Sequence, residues 1–374
     1  MKTIFLKSLW SLSIVLLIAS CSKDVPIQNE SNNQQKSTIE LIPISSQDGI
    51  LQFKSMNDFK IVVKDLNGKG LDYIKNCNQK WGIRSQEIIY HEIHEAENVC
   101  RENQASQLDP DITFEQFKEA GLTWDHSDIY NEYIRKGLII EMTDPDGSKW
   151  YKHKTLNPTF MPLIDEQGFV MINDTLYQFA SNQVKFSPQG SFSKVPQMIN
   201  TKETIADQNI FIVNYTSRKK SGGGDWSNIT DGPNQEPWIY DGNKKRIMVE
   251  VVAQCPDLGN GAEAAFVTFY LEVTSHKKVL FWWNVRNDYM PINTTQGSWD
   301  WYETYSGSND HETGSHYYTN FPWSGYTNYC KFFLEPNGWV GKSGQLLYSF
   351  EMNDYTFSVV ASGYQTSALT LDIP

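Results

Sequence analysis

The sequence predicts an α+β protein, with short helices and β-hairpins in its first half and an antiparallel β-sandwich in its second. Three observations carry this. Apolar residues recur at helical spacing between capping residues as far as Gly137. Beyond Gly137 the period shortens to two, and turn residues separate the runs. From Asn209 onward no segment keeps a helical period. The expected division is a helical and hairpin domain over residues 46–200 and a sandwich over 205–374, since 374 residues suffice for two cores of ordinary size.

In chain order, residues 1–20 read as an export leader. Lys2 and Lys7 precede an apolar run from Leu9 to Ile18 that is too short to span a bilayer. Ile18-Ala19-Ser20-Cys21 resembles the bacterial lipobox, with Ile18 where leucine is usual. That resemblance implies cleavage before Cys21, acylation of its sulfur, and an outer-membrane location with the membrane face left open. Acyl burial contributes about 0.8 kcal/mol per methylene, so several chains hold durably where a single one would not. Residues 21–45 are polar and cannot bury enough apolar surface to offset the entropy of ordering. They are expected to be a tether, averaging roughly 25 to 30 Å as a flexible coil.

Ser55 can cap a helix carrying Phe59, Val62, Val63 and Leu66, which Gly68 then stops. Leu71, Ile74 and Trp81 mark a second helix before Gly82. Ser85 opens a third, with Ile88, Ile89, Ile93, Ala96, Val99 and Cys100 as its apolar stripe. Thr113-Phe114-Glu115-Gln116 matches a capping box, and a further helix from about Ser127 to Lys136 ends at Gly137. Residues 138–142 and 149–152 then flank Asp144-Pro145-Asp146-Gly147, and residues 169–172 and 176–179 flank Asn173-Asp174-Thr175; both are hairpin signals. Residues 187–208 are polar and read as a separator. Residues 246–255 alternate, with Ile247, Val249, Val251, Ala253 and Cys255 on one side. Residues 264–273 and 279–285 follow, joined by Ser275-His276-Lys277-Lys278, and residues 345–351, 355–361 and 367–373 complete a set of short strands.

Three segments carry a further likeness: Cys21-Ser22-Lys23-Asp24, Leu51-Gln52-Phe53-Lys54-Ser55 before a helix, and the hairpin Gly168-Phe169-Val170-Met171-Ile172-Asn173-Asp174. With them the chain resembles surface lipoproteins of the Bacteroidetes type that belong to domain families of unknown function. The resemblance implies an envelope location and a glycan-rich habitat, and it carries over no catalytic residue. Asp174-Thr175-Leu176 also resembles the O-glycosylation triplet of that phylum.

Loss of Lys2 and Lys7 with the leader takes the formal charge from −12 to −14, which disfavours bulk attraction to nucleic acid or anionic lipid. The membrane is therefore an expected partner through lipid alone, and nucleic acid is not one. Cys77, Cys100, Cys255 and Cys330 remain in a compartment where disulfides persist. Local pairing of Cys77 with Cys100 and of Cys255 with Cys330 stands beside four free buried thiols. No CxxC is present, which argues against a zinc ribbon or a thioredoxin-like motif.

His91, His94 and Glu95 stand at i, i+3 and i+4, where one metal would reach all three. The apolar stripe of the same helix centres roughly 140° from His91, so these histidines are expected on a solvated face. His311-Glu312-Thr313-Gly314-Ser315-His316 has one residue too many for a zinc protease helix. Gly338-Trp339-Val340-Gly341-Lys342-Ser343 ends like a phosphate loop, but Pro336 occupies its first glycine position. No nucleophile elbow is present, and no catalytic residue, metal or cofactor is expected. Arg218-Lys219-Lys220 and Lys244-Lys245-Arg246 would gather six cations if their loop closes, against the simpler reading of solvated loop edges.

The strongest compositional signal is aromatic. Trp299, Trp301, Tyr305, Tyr317 and Trp323 crowd a segment interleaved with Asp300, Asn309, Asp310 and Asn320, a mixture suited to sugar rings. Aromatic residues are equally ordinary in sandwich cores. The expected function is a lipid-anchored, non-enzymatic envelope protein binding a glycan or a surface protein through its sandwich. The alternatives are a glycoside hydrolase drawing two carboxylates from Asp300, Glu303, Asp310 and Glu312, and a structural or assembly subunit of an envelope complex.

Overall fold

The computed structural model describes residues 42–155, 158–180, 183–214, 238–241, 244–254, 262–263, 268–305, 311–318, 321–327, 329–333, 346–361 and 368–373. The leader, Cys21 and the tether as far as residue 41 lie outside them. A hairpin of β1 (Ser45–Gln47) and β2 (Ile50–Phe53) leads into α1 (Met56–Leu66). Ser55 Oγ accepts from Asp58 N–H at 3.1 Å, and the four apolar residues placed by helical spacing are all buried. α2 (Leu71–Trp81) ends at Gly82, whose φ of 69° is the left-handed conformation that closes a helix. α3 (Gln86–Ala105), α4 (Phe114–Glu119) with its reciprocal Thr113–Gln116 capping box, and α5 (Asp128–Lys136) follow.

β3 (Ile139–Thr143) and β4 (Lys149–His153) form the first expected hairpin, and β5 (Phe169–Ile172) and β6 (Thr175–Phe179) the second. Asn173 and Asp174 both take positive φ, 48° and 59°, the turn that matches the twist of its strands. β7 (Gln183–Ser187) comes next. The polar separator then departs from expectation by holding α6 (Val195–Asn200), because Pro196 presets its first turn and Met198 anchors it in the core. β8 (Phe211–Asn214) returns to the same sheet, whose order is β1-β2-β5-β6-β7-β8 with β2 and β5 parallel. One face of this sheet packs Leu51, Phe53 and Phe179 against α1 and α2, while the other packs Phe169, Met171 and Leu176 against Met198 and Ile210.

Gly168 opens β5 at φ 86°, and a Cβ there would overlap the Phe179 carbonyl oxygen. Gly168→Ala is therefore expected to cost about 1 to 3 kcal/mol, read as a lowered urea midpoint. An unchanged midpoint would mean that the strand pair opens freely.

The second half contains β9 (Trp238–Asp241), β10 (Lys245–Gln254), β11 (Ala262–Glu263), β12 (Thr268–Val279), β13 (Trp282–Val285), β14 (Asp288–Tyr305), β15 (His311–Tyr318), β16 (Phe321–Thr327), β17 (Tyr329–Phe333), β18 (Leu346–Ala361) and β19 (Ala368–Ile373). Among the described residues after 209 there is no helix, and every pairing between these strands is antiparallel. One sheet runs β3-β4-β13-β12-β10-β9, with β17 also on β12; the other contains β11, β18, β14, β15, β16 and β19. The fold is α+β. Strand pairing crosses the expected boundary near residue 200 twice: β8 joins the first sheet, and β4 pairs with β13 in parallel through Lys149 and Trp282.

Two turn assignments are corrected. Ser275-His276-Lys277-Lys278 lies inside β12, and the turn is Leu280-Phe281, which lacks the usual turn residues. Residues 345–351 and 355–361 form one strand, because a bulge takes up the interruption: Ser298 to Asp300 on β14 spans Thr356 to Asn353 on β18. The single apolar face expected of β10 is also incomplete, since Arg246, Ile247 and Met248 are buried consecutively.

Candidate functional site

At 3.6 residues per turn, Glu87, His91, His94, Glu97 and Arg101 fall on one side of α3. The histidines expected on a solvated face are in fact buried, while Glu95 beside them is exposed and Ile89 and Ile93 of the expected stripe are buried too. His91 and His94 are each 1% exposed, while Val99, assigned to the apolar stripe, is 60% exposed. A stripe argument weighs only apolar residues, whereas here β4, β13 and β17 supply polar partners to the helix, through Tyr151, the Val285 carbonyl and Lys331. Lys331 Nζ donates to Glu87 Oε2 and to the Pro158 carbonyl, both at 2.7 Å. His91 Nε2 lies 3.6 Å from Glu87 Oε1. His94 Nδ1 is 2.7 Å from the Tyr151 hydroxyl, and His153 Nε2 is 2.7 Å from Glu272 Oε1 and 3.1 Å from the Tyr329 hydroxyl. At the far end, Glu97 accepts from Arg101 at 2.7 Å and from Ser127 N–H and Oγ at 2.7 and 2.8 Å. The Arg101 guanidinium sits 4.0 Å from the Trp282 ring centre.

Electrostatics follow from this burial. Desolvation alone would raise the Glu87 carboxyl, but the charge of Lys331 and the bond and charge of His91 outweigh it and hold the group at about 2. Desolvation likewise opposes Glu272, and the charge and hydrogen bond of His153 overcome it. His94 is pushed well below the ordinary histidine value by burial first, then by His91, His276 and His153. The cavity beside the cluster, lined by Gln86, Tyr90, His153 and Thr155, holds about 20 Å³, room for one water and no substrate. Among the described residues no group of His, Cys, Asp and Glu is arranged to hold a metal. The cluster is a clamp tying α3 to strands drawn from both halves of the chain.

Because the unfolded chain takes up a proton near pH 6.5 that folded His94 refuses, stability falls as pH drops below that value, by up to about 1.4 kcal/mol per pH unit. His276, depressed by burial and by Arg246, adds a second such contribution. The melting temperature is expected to decline from pH 7 to 5, and His94→Gln to flatten that decline. Equal slopes in both proteins would refute the assignment.

Cys77 and Cys100 are free thiols, the second of the two alternatives open for them, although both are only partly buried. Cys100 Sγ donates instead to the Asp125 carbonyl at 3.3 Å, and burial raises the Cys77 thiol, so the reactive thiolate is disfavoured there. Cys255 and the Cys330 side chain lie outside the described residues. The proposed cation cluster is not formed by its second half. Arg246 is buried against Asp144 and the Trp283 ring, and Lys245 pairs with Asp288. Residues 218–220 and 338–343 lie outside the described residues. His311 and His316 stand on strand β15, not on a helix. Thr175 follows the tight turn directly and is half-buried.

Strand register sorts the aromatic candidates. Trp299 pairs with His316, next to Tyr317, which pairs with Ser298, and Trp301 pairs with Gly314. Trp323 pairs with Ile292, about 23 Å along β14 from Trp299 at about 3.3 Å per residue, and Tyr305 lies roughly 20 Å the other way. The backbone therefore gathers Trp299 and Trp301 at positions of one face, puts Tyr317 at a position of the other, and separates Tyr305 and Trp323 along the strand; their side chains lie outside the described set. Asp310 lies outside it entirely, while Glu303 stands directly opposite Glu312. The residues missed from sequence are Glu272 and Lys331. Their signal was a single charge inside an apolar strand run, Leu271-Glu272-Val273 and Cys330-Lys331-Phe332.

Among the described residues no helix is long and apolar enough to cross a membrane. No protein-family model matches the chain, and no curated protein matches it. Among solved structures, the chain is similar to a DUF4848 family protein from Bacteroides thetaiotaomicron VPI-5482, at 13% identity over 88% of this chain and 100% of that one. The TM-score is 0.25, a likeness that bears on no residue's role.

Proposed function

We propose that this chain is a lipid-anchored, non-enzymatic envelope protein that binds a glycan or a surface protein through residues 205–374, folded as an antiparallel sandwich. Acylation at Cys21 holds it to the outer membrane. The observation that carries the binding reading is the register of β14 and β15, which sets Trp299 and Trp301 two positions apart on one face of the strand pair, opposite His316 and Gly314, with Tyr317 and Asp300 at positions of the other face. Aromatic faces accept the C–H faces of sugars while carboxylates and amides take their hydroxyls.

Glycan arrays and calorimetry on the full chain in a sugar-free detergent test this. Trp299→Ala and Trp301→Ala are expected to weaken binding at least tenfold, and Trp323→Ala to leave it intact. No binding by the wild-type chain to any glycan or envelope extract would end the proposal. Mass spectrometry finding residue 21 unmodified in native material would end the anchoring part separately.

One observation favours a second reading, a glycoside hydrolase. Glu303 and Glu312 are cross-strand partners, with Cα atoms about 4.5 to 5.5 Å apart. Like charges so placed are destabilising, which favours a use for them, and paired carboxylates are the machinery of glycosidic cleavage. Turnover of aryl glycosides, lost in both Glu303→Gln and Glu312→Gln, would support it; no turnover would remove it.

A further inference from the structure

Away from the aromatic strands, a groove of about 330 Å³ lies where the end of α5, the turn before β5, the end of β6 and the rim of α6 meet. It is lined by Lys136, Leu138, Glu166, Gln178, Phe179 and Ile199. Its floor follows from the pattern of the sheet. On one face of β6, Leu176 belongs to the core capped by Met198. Two positions on, Gln178 occupies the same face, opposite Lys185 on β7. Lys185 Nζ donates to the Met198 and Ile199 carbonyls at 2.8 and 3.3 Å, which fixes the α6 rim.

Gln178 is more than nine-tenths buried, and its Nε2 donates to the Gln167 carbonyl at 3.1 Å. Since a carbonyl only accepts, that bond fixes which end of the amide is oxygen. Gln178 Oε1 carries no hydrogen bond, an exception among buried polar atoms that calls for a donor.

The surrounding groups narrow the donor's chemistry. The N–H groups of Gly137, Leu138, Gln167, Phe179 and Ala180 all donate within the protein. Lys136 Nζ is engaged by Glu132 at 2.6 Å and by Glu166. The exposed Gln167 side-chain amide and the third N–H of Lys136 remain as donors beside acceptors on Gln178 and the Glu166 carboxylate, a mixture that suits hydroxyls, which both donate and accept. Leu138 and Ile199 supply apolar surface beside them, and Ile199 is 41% exposed at the rim. The volume falls at the lower end of ligand sites, about 300 to 1,000 Å³.

We infer that this groove is a binding site for a neutral polyhydroxyl ligand, one or two sugar rings, whose hydroxyls donate to Gln178 Oε1 and Glu166 while a C–H face lies on the apolar wall. It is a site separate from the aromatic strands, and it stands if that reading falls.

The test is saturation-transfer NMR on the full chain in sugar-free detergent, with glucose, galactose, mannose, N-acetylglucosamine and cellobiose as probes and ethylammonium chloride and sodium methanesulfonate as controls. A sugar signal is expected, at least tenfold weaker in Gln178→Met, which keeps the volume and removes the acceptor. Ile199→Arg, an exposed change that fills the groove without touching the core, is expected to do the same. Trp299→Ala and Trp301→Ala are expected to leave this signal unchanged. Absence of any sugar signal in the wild type, a signal indifferent to both groove variants, or binding of ethylammonium or methanesulfonate alone would overturn the inference.

Discussion

Replacing Lys331 with methionine is expected to lower the unfolding free energy by about 3 to 5 kcal/mol, because the change strands a buried carboxylate. Both members of the Lys331–Glu87 pair are buried, and the ammonium also serves the Pro158 carbonyl. Without it, Glu87 keeps only His91 at 3.6 Å and must either hold an uncompensated charge or take up a proton. The double variant Glu87→Leu with Lys331→Met is expected to recover most of the loss, since a well-packed apolar pair costs less than a broken ionic one. Urea midpoints of the three variants at pH 7 decide it. A loss under about 1 kcal/mol in the single variant would class the contact with surface pairs.

The same pair sets an acid limit. The Glu87 carboxyl lies at about 2 when folded against an ordinary value of 4.5, so its contribution is fully present above pH 4.5 and is lost as pH falls towards 2. That shift corresponds to roughly 3 kcal/mol, on the scale of about 1.4 kcal/mol per pH unit. Lys331→Met should abolish this contribution, so the stability of the variant should vary less with pH below 4.5 than that of the wild type.

What the sequence disclosed and what it hid divide along one physical line. Local signals were legible. Ser55, Thr113 and Ser127 stand at helix starts, Gly82 and Gly137 close helices, and the turn at Asn173-Asp174 is where its composition places it. Each is decided by residues a few positions apart. The polar face of α3 was not legible, because His91 and His94 read as solvated until Lys331, 244 positions away from Glu87 on the same helix, is known to arrive there. The long strands were hidden for a related reason. Asn353-Asp354 reads as a turn until β14 supplies a partner that accommodates a bulge. The groove at Gln178 left no trace in the sequence, because an isolated glutamine on a strand face carries no information about which of its atoms goes unpaired.

Glu97→Ala is expected to be as damaging as the loss of Lys331, about 3 to 5 kcal/mol, but its effect should be distributed differently. Glu97 neutralises Arg101, whose fully buried guanidinium lies against the Trp282 and Trp124 rings. It also accepts from both the N–H and the hydroxyl of Ser127, and that same hydroxyl caps α5 by accepting from Tyr130 N–H. Removing the carboxylate therefore strands a buried cation and frees the cap at one stroke. Glu97→Gln keeps an acceptor oxygen for Ser127 but no charge for Arg101, so it should cost less and leave the start of α5 protected. Hydrogen exchange separates the two roles: in the alanine variant the amides of Tyr130 and Asn131 should exchange faster than those of α1. Since α5 delivers Lys136 and Gly137 to the wall of the groove, its loosening should also weaken sugar binding there, although Glu97 is not among the residues that line it. Unchanged exchange along α5, alongside a global loss of stability, would mean that Glu97 serves Arg101 alone and that helix and groove are held by other contacts.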